Sequence, residues 1–111
     1  MADNNGVRTV HGTLVGSTAE TAQLTDDDIV AFEVMLRSGT GPIYFTWAIT
    51  SAATVATVAG AETYAVVGTG RANAVRVVLP QCRPLGPSGT LELSLISATA
   101  DLFTVHGLYA D

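Results

Sequence analysis

At 111 residues the chain suits one domain and leaves no room for two. Only 14% of it is charged, against about 25% in typical soluble domains, so part of its surface is expected to be covered in the working state. The net charge of −5 and five scattered basic residues, all arginine, argue against nucleic acid, whose phosphates require clustered Lys and Arg. A single cysteine, Cys82, excludes an internal disulfide and a Cys-rich metal site.

In chain order, Met1 to Gly6 is polar, with neither a basic nor an apolar signal region, which predicts synthesis in the cytoplasm without a classical export signal. Residues 1–10 read as an N-terminal arm leading into a first strand, and 11–111 as one β-sandwich domain. Two weaker strands are expected over Val7–Val15 and Thr18–Leu24. Asp26-Asp27-Asp28 follows Thr25 as a solvated turn; the spacing does not match a D-x-D-x-D-G calcium loop. Period-two alternation then dominates. Phe32, Val34 and Leu36 alternate with Glu33, Met35 and Arg37; Phe45, Trp47 and Ile49 alternate with Tyr44, Thr46 and Ala48. Further strands are expected at Thr63–Val67, Val75–Leu79, Leu91–Leu95 and Phe103–Tyr109. Each commits one face to a core, and Phe32, Val34, Phe45, Trp47, Val77, Leu93 and Phe103 form the expected centre.

Ser38-Gly39-Thr40-Gly41-Pro42, Gly68-Thr69-Gly70 and the Pro84 to Gly89 run are turn signals between these strands. No helical periodicity appears. About eight strands and no linker predict an all-β chain: a single antiparallel β-sandwich or jelly-roll-like domain.

From Ser38 to Ala61 the chain carries no charge for 24 residues. Pro42 and the Thr and Ser content exclude a membrane span. The Ser51–Ala61 part is small, β-branched and unguarded by Lys or Glu, as an edge covered by another chain would be. Thr54, Val55, Thr57 and Val58, together with Val7 and Val10 of the arm, are therefore the expected protein-interface residues.

Catalytic chemistry finds no support in the residues. His11 and His106 lie on the outer phases of strands, with no nucleophile elbow and no closed zinc set. Gly68-Thr69-Gly70-Arg71 is followed by a strand instead of the helix that a phosphate loop needs. Cys82 sits beside Arg83 without a general base. No cofactor and no metal are expected. Tyr44, Trp47, Tyr64 and Tyr109 raise the alternative of sugar stacking in a carbohydrate-binding module, although Trp47 shares its phase with Phe45 and Ile49.

Val34-Met35-Leu36 through Pro42-Ile43-Tyr44-Phe45, then Thr57 to Val66, then Leu95-Ile96-Ser97-Ala98 with Phe103 to Leu108, resemble together the small all-β virion proteins of tailed bacteriophages infecting GC-rich bacteria. The lack of lysine beside abundant Ala, Val, Thr, Gly and Arg is the codon bias of such genomes. The resemblance implies a virion accessory protein, first of all a capsid decoration protein that cements the head, and next a head–tail connector or tail component. Its implied partners are the major capsid protein and copies of itself, with no nucleic acid and no membrane.

Overall fold

A computed structural model describes residues 6–60 and 63–110. Eight strands form: β1 Thr9–Leu14, β2 Glu20–Leu24, β3 Ile29–Ser38, β4 Ile43–Ile49, β5 Tyr64–Val66, β6 Val75–Val78, β7 Leu91–Ser97 and β8 Asp101–Tyr109. Two single 3-10 turns, Arg71–Asn73 and Pro80–Cys82, complete the regular structure of the described residues. The expected all-β sandwich is present.

One sheet has the order β1-β8-β3-β6 and the other β2-β7-β4-β5, and every pairing is antiparallel. The pairs β1·β8, β2·β7, β3·β6 and β4·β5 are the rungs of one long hairpin rolled onto itself, which is the jelly-roll arrangement of two Greek keys. β8 and β3 are the inner strands of the first sheet, and β7 and β4 those of the second.

Alternation explains the core. Phe32, Val34 and Leu36 of β3, Ile43 and Phe45 of β4, and Leu91, Leu93 and Leu95 of β7 all turn between the sheets and are fully buried. The ring of Phe32 meets Phe45 edge-on at 6.1 Å between centroids and Trp47 at 5.7 Å. Such T-shaped contacts add to the gain from burial. Trp47 was expected at the centre; it packs against the core only half-buried. Its neighbour strand β5 stops after three residues and pairs only with Ile43–Phe45, so nothing in the sheet covers Trp47 on that side.

Two positions carry packing that alternation does not reveal. Gly12 of β1 lies opposite Phe103 of β8, and a Cβ there would stand 2.5 Å from the Phe103 ring. Gly107 likewise yields its place on the core face to Ile29, whose Cδ1 would lie 2.4 Å from a Cβ. At these two points the core is built by a side chain from the neighbouring strand.

Three local expectations are corrected. The 51–60 segment is not a strand or a sheet edge; it crosses the outer face of the second sheet as extended coil. Hydrogen bonds hold it there: the Ala56 amide donates to Ser94 Oγ at 2.9 Å, the Ala53 amide donates to Glu92 Oε2 at 3.0 Å, and Thr46 donates its hydroxyl to the Thr54 carbonyl. Ala56 is 1% exposed, and Thr46, Ser94 and Ile96 beneath the segment are buried although they face away from the core. The Asp26-Asp27-Asp28 turn is solvated only in part: Asp28 is exposed and Asp27 half-exposed, but Asp26 is not. Its carboxylate is buried, accepting from the Asp28 amide at 3.0 Å and from the Tyr109 hydroxyl. Finally, the strand begins at Thr9, so the arm is shorter than ten residues, and its described part is tied down. The Thr25 and Asp26 amides donate to the Val7 carbonyl, at 2.9 and 3.2 Å, and the Val7 amide donates to Thr25 Oγ1 at 2.7 Å. Residues 1–5 of the arm and Ala61 of the crossing segment lie outside the described residues.

Candidate interaction surface

The six expected interface residues do not form one patch. Thr54, Val55, Thr57 and Val58 are exposed on the segment that crosses the second sheet, with Val55 at 68%. Val7 is exposed on the β2–β3 connection. Val10 turns inward from β1 and packs against the core, a second correction to the interface set. The alternation that placed Phe103 and Val105 inside applies equally to Val10, which lies opposite Val105.

The open edge of the fold is elsewhere. β1 is the outer strand of the first sheet, and its six residues, TVHGTL, include no Lys, Glu, Asp or Pro. Those are the residues that normally discourage pairing at an edge. β2, the outer strand of the second sheet on that side, carries one charge, Glu20. The opposite edges are short: β6 has four residues and β5 three.

The two sheets differ in what their outer faces present. The second is covered by its own 51–60 segment. The first carries polar rows, ordered by cross-strand register, beside an apolar row of Leu108, Ala31 and Val78. Thr9, His106, Glu33 and Arg76 align in one row across all four strands, and His11, Thr104 and Met35 in the next. Each imidazole is pinned: Thr9 Oγ1 shares a 2.7 Å hydrogen bond with His106 Nδ1, and Thr104 Oγ1 shares one of 2.7 Å with His11 Nδ1. The other ring nitrogen, Nε2, is then the polar atom left to each histidine. A shallow cleft of about 300 Å³ lies between the rows, with Arg71 at its rim. Burial pushes the His106 imidazole below its usual range, reinforced by the Arg8 charge and opposed by Glu33.

Glu33 faces His106 in register, but its carboxylate accepts from Arg76 at 3.4 Å, so no threonine–histidine–carboxylate relay is assembled. The described residues include no cluster of three metal-ligating side chains. Two of the four aromatic rings considered for sugar stacking are already occupied on one face. Tyr64 stacks on Phe45 at 5.2 Å, and the Arg8 guanidinium sits 3.7 Å over the Tyr109 ring.

At one end of the sandwich a buried carboxylate joins two loops. Asp101, 1% exposed, accepts from the Ser97 hydroxyl, from Thr99 Oγ1 at 3.1 Å and from the Gly41 amide at 3.3 Å. This fastens the β7–β8 turn to the β3–β4 connection, which passes from one sheet to the other, and its role is structural. Sequence reasoning missed both this lock and the polar rows, because each joins residues from distant parts of the chain. The only local signal was the outer phase shared by Thr9 with His11, Glu33 with Met35, and Thr104 with His106.

Comparison with family models, with curated proteins and with solved structures finds no match to this chain.

Proposed function

We propose that this chain is a non-enzymatic structural protein that assembles on a bacteriophage capsid as a decoration protein, with the major capsid protein and copies of itself as partners. The observation that carries the reading is the undefended strand β1, six uncharged residues along an open sheet edge. In a protein that works alone such an edge invites pairing with other chains; in one that works in an assembly it is covered. Val15, Val55, Val67 and Val78, all more than half exposed, add apolar surface around the molecule. Jelly rolls build viral capsid proteins and also lectins, so the fold supports the reading only by analogy. A connector or tail position, and a carbohydrate-binding role, are the other readings compatible with the same fold.

Quantitative gel analysis of purified particles tests the assignment, which expects the chain at high copy number relative to the major capsid protein. Val55→Lys with Val58→Lys, and separately Thr13→Lys on the β1 edge, should leave the isolated protein folded while lowering its occupancy on particles. Absence of the chain from purified particles overturns the proposal. Wild-type occupancy of both variants moves the contact to another surface.

A further inference from the structure

We infer that the open outer face of the first sheet is a docking site for an acidic, extended protein segment, whose carboxylates enter the cleft between Arg71 and the two histidines. The inference goes beyond the particle reading and does not depend on it.

Charge is segregated on this molecule. Arg37 follows Glu33 and Met35 in the outer phase of β3, Arg76 lies on β6 and Arg71 at the cleft rim. Both histidines share the face. Glu33 is the one described carboxylate among these groups. Three arginines less one glutamate give +2 with neutral imidazoles, on a chain whose total is −5. Of the other two arginines, Arg8 lies over the Tyr109 ring, whose hydroxyl is bonded to Asp26, and Arg83 follows the Pro80–Cys82 turn away from the cleft.

The groups are held ready. Arg71 has no hydrogen-bond partner for its guanidinium among the described residues. Its turn is fixed to β3 by the Gly70 amide, which donates to the Leu36 carbonyl at 3.0 Å, and is braced internally by Asn73 Nδ2, which donates to the Thr69 carbonyl at 2.9 Å. The threonine bonds fix both imidazoles, which reduces the ordering cost of binding.

The geometry favours an extended peptide. Rows on this face repeat every second residue, roughly 6.7 Å along the strands, which is also the spacing of alternate side chains on an extended chain laid parallel to them. Carboxylates at every second position therefore meet successive rows. Glu33, neutralised by Arg76, does not prevent this.

The test uses the full chain and three probes: a capped (Glu-Thr)4 peptide, its (Gln-Thr)4 counterpart, and an oligogalacturonate of equal charge. Calorimetry at 50 mM NaCl should detect the Glu peptide and not the Gln peptide. Raising NaCl to 300 mM should weaken binding by about fivefold or more, since exposed charge pairs are screened. Arg71→Gln should weaken it by roughly fivefold, while Arg83→Gln leaves it unchanged and Glu33→Gln tightens it. Melting curves verify that each variant is folded. No binding of the Glu peptide, or equal losses from Arg71→Gln and Arg83→Gln, overturns the inference. Tighter binding of the oligogalacturonate also overturns it and assigns the face to an acidic glycan.

Discussion

His106 shows how one residue combines packing and charge. Burial first, then Arg8, holds its imidazole below the usual value of about 6.5, against the opposing pull of Glu33. The folded state therefore binds fewer protons than the unfolded state just below that value, so stability falls as pH drops through about 6.5. The loss stops growing once pH is below the folded value. Melting temperature measured from pH 7.5 to 5.0 should fall more in wild type than in His106→Gln, which lacks the titrating ring. Equal slopes would show that His106 contributes nothing to the acid limb. The charges acting on it are Arg8, Glu33, Arg71 and His11, with Arg76 paired to Glu33, so the comparison isolates one group among several. Gly12 works by a different cause: the ring of Phe103 fills the space where its side chain would stand.

At the scale of elements, the 51–60 segment has the clearest physical logic. Its small residues were read as a bare edge, and they are a cover. Ala56 is buried, with its amide bonded to Ser94 Oγ, while Val55 and Val58 are exposed. Ala56→Asp would place a charge in a buried site, where desolvation is costly. The segment should lift from the sheet and expose Thr46, Ser94 and Ile96. Hydrogen exchange at the Ala53 and Ala56 amides should speed up markedly while β4 and β7 stay protected. Unchanged protection of both amides would show that the segment tolerates the charge. β1 is the converse case: a regular strand, correctly expected, whose exposed edge position depends on which strand pairs with it.

At the scale of the molecule, one core is shared by both sheets, with Phe32 of the first touching Phe45 and Trp47 of the second. Truncating Phe45 to Ala, at full burial, should cost about 3–5 kcal/mol in urea unfolding. Trp47→Ala should cost less, because that ring is half-exposed at the end of the short β5. A larger loss at Trp47 than at Phe45 would invert the assignment of centre and rim. The same two-sheet construction leaves one outer face crossed by the chain itself and the other open, and the open one carries both histidines with Arg37, Arg71 and Arg76.

The sequence by itself determined the class of fold, the existence of all eight strands and most of the core, because a period of two is a local property that each strand carries alone. It also determined that the surface is poor in charge, and that His11 and His106 point away from the core. Register, sheet order and coverage were decided only by the tertiary structure. The Thr9–His106 bond joins residues 97 apart, and the Tyr109–Asp26 bond residues 83 apart. No local pattern encodes such a pairing; it follows from which strand is rolled against which. The buried Asp26, the covering 51–60 segment and the polar rows of the open face all arise at that level. Each depends on contact between parts of the chain that sequence proximity never brings together.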